Sequence, residues 1–354
     1  MSKRRRSDDE GGRPRSRRRR HHLHLVLDDW TKGYSIYKVD VADLDLDVAD
    51  LDAVATPLPG PPVFRLESFH AGISSPWFSS VGGRIVMTRY NDEDDAPVLL
   101  YDTTTRGLAV GPRYPAEASF AYEYIPNGGA QDRLYLMGSS KFHRGEDHFQ
   151  VLTQEEGRCR WAWSPLRTPP FKISKVACHA AHPDGRTIFF SVHGGGGTYS
   201  FHTETQEWRR HGDWMLPFQG RVYYDAQLDA WVGLSDTCDG SEKGDVRSCD
   251  VVPLTGEGPP PAWKTVREKM VCEDRERTNK VALTHMGRSR FCLVEHRFRK
   301  GVDTTFVDNV YLFYITTFKL RYDKDGGLRA TARRTRCYTM PVESTGYNWW
   351  AFGI

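Results

Sequence analysis

Residues 175–212 read KVACHAAHPDGRTIFFSVHGGGGTYSFHTETQEWRRHG, and this stretch decides the fold. Four segments in it, 175–179, 187–192, 198–202 and 207–212, are short and rich in aromatic and β-branched residues, as half-buried strands are. Between them lie HPDG, a run of glycines and TETQ, which are turn sequences too short for anything but hairpins. Parallel strands would need a crossover of about a dozen residues, so the unit is an antiparallel meander of four strands.

Outward from this unit the same grammar recurs. Its third segment has counterparts at 34–39 (YSIYKV), 98–102 (VLLYD), 149–153 (FQVLT), 250–254 (DVVPL) and 310–316 (VYLFYIT), at intervals of about 50 to 60 residues. Strands are expected at 77–81, 84–89, 98–102 and 107–112 in the second unit, and at 120–125, 133–137, 149–153 and 160–166 in the third. The fifth unit takes 221–225, 230–234, 249–254 and 263–266; the sixth takes 280–285, 290–295, 310–317 and 328–340. In the first unit, 22–27 and 34–39 precede an acidic insertion, 40–54, and a Pro-rich strand, 55–64. Only 265–277 has a helical pattern.

The expected fold is therefore all-β: a six-bladed, kelch-like β-propeller of antiparallel four-stranded units over residues 22–354, with a seven-blade division of 235–345 as the alternative. No strand-like segment precedes residue 22, so the tail 347–354 (YNWWAFGI) is expected to pair into the first unit and close the ring.

Composition agrees with a folded, strand-rich body, since 39% of the 354 residues are hydrophobic and 12% aromatic. No stretch approaches the ~18 uninterrupted apolar residues of a spanning helix, and no membrane partner is expected. The seven cysteines are scattered without a C-x-x-C pair, which fits neither a disulfide framework nor a zinc module. Cys159, Cys178, Cys249 and Cys292 sit in or beside strand-like runs and read as small buried hydrophobes.

The net charge of +3 is unevenly placed. Residues 1–20 hold ten Lys and Arg against Asp8, Asp9 and Glu10, a local +7, which leaves the remaining chain at −4. Residues 1–21 have almost no apolar side chains and are expected to form a disordered basic arm. Lys3, Arg4, Arg5 and Arg6, followed about ten residues later by Arg17, Arg18, Arg19 and Arg20, are spaced like a bipartite nuclear import signal. An import receptor is the partner this implies, and the nucleus the location, with the cytoplasm as the alternative. Nucleic acid is expected to bind only through residues 1–21.

Several segments resemble a grass-enriched plant family, domain of unknown function 1668. They are 23–37 (LHLVLDDWTKGYSIY), 61–66 (PPVFRL), 97–112 (PVLLYDTTTRGLAVGP), 182–185 with 197–208 (GTYSFHTETQEW), and 223–233 (YYDAQLDAWVG). The resemblance covers nearly the whole chain and implies no particular activity. More distantly the units are similar to kelch repeats, most of all the fourth, with glycines at Gly194–Gly197, then Tyr199, Thr205 and Trp208.

Enzymatic signatures are weak. His179 and His182 fall on opposite faces of a strand, and His182-Pro183-Asp184-Gly185 is a turn, so neither is read as a metal ligand. The acidic runs 40–52, 92–95 and 236–245 lie in hydrophilic loops, where nothing raises a carboxyl pKa for acid catalysis. There is no G-x-S-x-G, P-loop or G-x-G-x-x-G, and no cofactor or metal is expected. The connections between second and third strands, at 90–96, 138–148, 193–197, 235–248 and 297–309, are expected on one face of a ring of meanders, and four of the five are longer than a tight hairpin needs. Their charged residues, Asp92, Glu93, Lys141, Arg144, Lys243, Arg297, Arg299 and Lys300, are the candidate contacts for a protein partner. The functional expectation is a non-enzymatic interaction scaffold. The alternatives are a hydrolase or lyase using the channel, and a nucleic-acid binder through the arm.

Overall fold

The computed structural model describes residues 22–29, 32–43, 54–67, 76–88, 97–115, 120–128, 132–139, 146–155, 160–235, 244–272, 277–300, 311–341 and 348–354. Among these residues there are strands and short turns but no α-helix. The first sheet contains β1 (Leu23–Asp28), β2 (Tyr34–Val39) and, beyond the short β3 (Thr56–Pro57), β4 (Phe64–Leu66). The second is β5 (Trp77–Val81), β6 (Arg84–Thr88), β7 (Pro97–Asp102) and β8 (Leu108–Arg113). The third is β9 (Phe120–Gly128), β10 (Asp132–Ser139), β11 (Asp147–Gln154) and β12 (Trp161–Pro165). The fourth is β13 (Val176–Ala181), β14 (Thr187–Val192), β15 (Gly197–His202) and β16 (Glu207–Gly212). The fifth meander, β17 (Gln219–Asp225), β18 (Ala230–Leu234), β19 (Val246–Asp250) and β20 (Trp263–Thr265), is joined to the fourth by parallel β13–β17 pairing, so the two form one eight-stranded sheet. The sixth is β21 (Thr278–His285), β22 (Arg290–Phe298), β23 (Tyr311–Tyr322) and β24 (Leu328–Thr339), with β3 added in parallel at its edge. The final strand, β25 (Trp349–Gly353), returns to the first sheet and pairs antiparallel with β1, placing Val26 opposite Trp350 and Leu27 opposite Trp349.

Burial explains why the strands read as they do. β1 and β14 are buried along their whole length, so both faces of their sheets are covered. The fourth strands β8 and β16 are mostly exposed or half-buried, and there charged and small residues appear. Alternation then sends side chains to two different interfaces. Leu23, Leu25 and Leu27 pack with Cys292, Val294 and Phe313 of the sixth sheet. Val26 and Ile36 pack with Phe78 and Ile85 of the second. Further clusters join second to third (Val86 and Leu100 with Leu134 and Leu152), and third to fourth (Tyr135 and Phe149 with Phe190 and Phe201). Others join fourth to fifth (Cys178 and Phe189 with Val222 and Trp231), and fifth to sixth (Val232 and Val246 with Phe291 and Leu293). Each fully buried Leu, Val, Ile or Phe contributes about 1.5–3 kcal/mol. The cysteines at 178, 249, 292 and 337 are buried within these layers, and burial pushes the Cys249 and Cys292 thiols well up.

Three hairpins share one turn. After β7, β15 and β17 comes an acceptor side chain, Asp102, His202 or Asp225, that takes the backbone N–H groups two or three residues on, at 2.8–3.2 Å. Four residues after it comes a left-handed residue, Arg106, Gln206 or Asp229, with φ of 61°, 56° and 48°. The turn after β23 is one residue tighter, with Asp323 as acceptor and Gly326 left-handed.

Several sequence expectations need correction. Residues 250–254 are not a strand beyond Asp250: β19 lies upstream, because Val246 and Arg247 supply the register against β18 and residues 251–254 turn away. The expected strand at 55–64 divides into β3 and β4, which pair with different sheets, as the proline- and glycine-rich stretch between them cannot hold a ladder. The described part of 265–277 forms no α-helix. Strand residues also extend into the expected connections: Gly138, Ser139, Asp147 and His148 are paired in β10–β11, and Arg297 and Phe298 in β22–β23.

Candidate functional site

In each meander the first-to-second and third-to-fourth turns lie at one end and the second-to-third connection at the other. At that second end a cavity of about 510 Å³ opens. It is lined by the starts of β5 (Trp77 and Ser79), β17 (Gln219 to Tyr223), β21 (Thr278 to Leu283) and β25 (Trp349 to Phe352), and by Leu234, Ser235 and Gly244 from the mouth of the β18–β19 connection.

A backbone excursion shapes one wall. Gln219 pairs with Leu234, and the next partners are Tyr223 and Val232, so residues 220–222 bulge from β18. They pair instead in parallel with Cys178 to Ala180 of β13. Gly220 takes φ of 69° there, a conformation in which a side chain would be strained. The same excursion carries Arg221 into the cavity wall.

The chemistry of the wall is aromatic and cationic. The Lys280 ammonium donates to the Trp349 carbonyl at 2.6 Å and sits 4.8 Å from the Trp349 ring centroid and 5.6 Å from that of Trp350. Trp77 meets Trp350 edge-on at 6.2 Å. The Arg221 guanidinium lies 4.7 Å over the Tyr223 ring, whose hydroxyl donates to the Leu283 carbonyl at 3.0 Å. Lys280 is exposed to the cavity, yet protein surrounds it on most sides, and that enclosure lowers its pKa to about 8. Behind Trp349 lies His296, fully buried, stacked on Tyr311 at 4.3 Å and lowered to about 3 by burial and, next, by Lys280. Among the described lining residues there is no carboxylate and no histidine, and no described carboxylate pairs with Lys280 or Arg221.

A second cluster has the composition of a hydrolytic triad without its geometry. Asp225, 1% exposed, accepts from His285 Nε2 at 2.8 Å, and from the Ser289 N–H and hydroxyl, each at 2.7 Å. Serine and histidine both address the carboxylate and not each other, and Ser289 is itself buried. Burial alone would raise the Asp225 carboxyl; His285, Ser289 and the Leu228 N–H hold it well below the usual range. This cluster staples the β17–β18 turn to the β21–β22 turn, at the end opposite the cavity.

Of the residues singled out from sequence, Lys3 to Arg6, Arg17 to Arg20, Asp92, Glu93, Lys141, Arg144 and Lys243 lie outside the described residues. Arg297 belongs to β22 and not to a loop: it hydrogen-bonds Glu295 and covers Tyr314 at 4.0 Å. It stands opposite Thr278 of the cavity wall. Arg299 and Lys300 follow the strand and are exposed. His182 takes the Asp184 N–H at 3.2 Å within its turn. Lys280, Arg221 and Trp77 went unremarked in sequence. Their only signal is a cation or large aromatic in an otherwise apolar first strand, which does not say which residues from other sheets it will meet.

The family model described as "Protein of unknown function (DUF1668)" matches residues 20–338. The chain belongs to this family. No curated protein matches this DUF1668 member in sequence. Among solved structures it is similar to the periplasmic gluconolactonase PpgL of Pseudomonas aeruginosa, 12% identical over 88% of this chain and 83% of that one, with a TM-score of 0.46. It is similar also to the WD40 domain of SCAP from fission yeast, 8% identical over 88% and 72%, with a TM-score of 0.38. For hydrazine synthase of Kuenenia stuttgartiensis the identity is 13% and the TM-score 0.38; the match covers 70% of this chain and 62% of that chain, less than two thirds of its length. Similarity at this level carries no argument about this chain, whose own strands make it an all-β protein of several sheets built from antiparallel meanders.

Proposed function

We propose that this DUF1668 protein is a closed, six-bladed, kelch-like propeller that acts as a non-enzymatic interaction scaffold. The closure is supported by the packing order, in which every four-stranded unit shares one hydrophobic cluster with each of two others, and by the β1–β25 pairing of first and last strands. The kelch likeness is supported by the glycine turn after β14 with Tyr199 and Trp208 beyond it.

The observation that carries the functional reading is the contrast between the two ends. One end is stapled by short turns, while the other opens a cavity beneath the second-to-third connections. A rigid sheet assembly that presents such connections lowers the ordering cost of binding a protein. The partner meets that end, with Arg299 and Lys300 among its contacts. The basic arm, through Lys3 to Arg6 and Arg17 to Arg20, takes the protein into the nucleus.

Crosslinking affinity capture from tissue, comparing the full chain with one lacking residues 1–21, tests both parts. A protein captured by both forms and crosslinked near 138–148, 235–248 or 297–309 supports the scaffold. Capture of nothing but import receptors and nucleic acid, and only with the arm present, defeats it. Unchanged nuclear accumulation of the form lacking the arm defeats the import reading alone.

A further inference from the structure

The cavity wall carries two cations with which no described acid pairs. Lys280, exposed to the cavity, gives one of its donors to a carbonyl and rests against two indoles. Arg221 reaches the same space on the excursion of β17 and rests on Tyr223. At the stapled end the opposite policy holds: Arg84 faces Asp102 and Asp132, each at 3.6 Å, and the buried Asp225 is fully hydrogen-bonded. Two like charges on the same aromatic and aliphatic wall, with no described acid between them, add nothing to the packing of that wall and leave their charge available to a ligand.

The cavity's size narrows the choice of counter-charge. At about 510 Å³ it falls within the ~300–1,000 Å³ typical of small-molecule sites. Its walls offer indole faces and edges and aliphatic surface from Val281, Ala282 and Leu283, with Ser79, Gln219 and Thr278 as further hydrogen-bonding groups. An inorganic anion would leave the aromatic surface unused, and a cation would meet Lys280 and Arg221 head-on.

We infer that this cavity is a binding site for a small organic anion, a carboxylate or phosphate head on an apolar or aromatic body. The head lies between Lys280 and Arg221 and the body against Trp77 and Trp350. The site stands whether or not a protein partner uses the connections around it.

Isothermal titration of the full chain with benzoate, phenyl phosphate, benzamide and benzylamine is the test. Benzoate or phenyl phosphate should bind, the tighter of the two naming the head group. Benzamide, of the same shape without the charge, should bind about tenfold more weakly or not at all, and benzylamine should not bind. Lys280→Gln and Arg221→Gln should each weaken the anion about tenfold while Lys280→Arg retains it. Benzamide binding as tightly as the anions, or no heat from either anion at ~10 mM, a concentration that reveals even millimolar affinity, overturns the inference on the unsubstituted protein. Folded variants that bind as the parent does overturn it equally.

Discussion

The two ends of the molecule spend their polar residues differently. At the stapled end, charges and turn acceptors are satisfied within the protein: Asp225 joins two sheets, Arg84 faces two aspartates, and the Trp231 indole donates to the Ala181 carbonyl at 2.9 Å. At the cavity end, Lys280 and Arg221 face an open space with aromatic neighbours and no described acid. The first arrangement fixes how neighbouring sheets sit. The second leaves interaction capacity unused, as binding surfaces do. The hydrogen-bonded staple and the cavity proposed for binding thus lie at opposite ends of the same strands.

Substitutions at each end can break or sharpen that contrast. The largest effect is expected at Trp349, which lies at the cavity end but turns its ring into the core with Phe313, 5.3 Å away. Trp349→Ala should cost about 4 kcal/mol in urea denaturation. A much smaller loss would mean that β25 contributes little to the first sheet. Asp225→Ala should cost about 3 kcal/mol, because it leaves several buried donors without an acceptor. If it costs no more than a surface change, the staple is not structural and the contrast fails.

The pH dependence follows from the same carboxylate. Asp225 is held below its unfolded pKa of about 3.9, so its contribution is full above that pH and is lost as pH falls through the folded value. Thermal melts below pH 4 should therefore fall more steeply for the parent than for Asp225→Asn, whose side chain does not titrate; parallel curves would remove Asp225 from the acid response.

Gly197→Ala should cost about 2 kcal/mol. Gly197 has φ of 80°, and a Cβ would come within 2.2 Å of the Gly212 carbonyl oxygen. Smallest of all, Lys280→Met should change stability by about 1 kcal/mol or less in either direction, since the charge faces the open cavity and only the carbonyl contact is lost. A loss as large as that of Asp225→Ala would make Lys280 a structural residue and bring the two ends into line.

Much of this architecture was legible in the chain. The segments 187–192, 198–202 and 207–212 of the fourth meander match β14, β15 and β16 to within a residue, because alternation and turn chemistry are encoded in near neighbours. The fifth meander was misread at 250–254, where Val251, Val252 and Leu254 look like a strand but fill space beside the fourth–fifth interface. Apolar content there serves packing without a ladder, and local pattern does not separate the two. The tail 347–354 was legible as a strand through its aromatic run, and its antiparallel partner is β1.

What the sequence determined by itself was the all-β class, the antiparallel meander, the turn positions and the division between basic arm and mildly acidic body. All of these follow from side-chain period, backbone preference and summed charge. Tertiary structure alone decided which sheet faces which, that β17 leaves β18 to pair with β13, and that Lys280, Arg221, Trp77 and Trp350 meet at one cavity. Those residues lie on four sheets, up to about 270 positions apart in the chain. Their meeting is set by how buried faces stack over long sequence separations, which no local periodicity records.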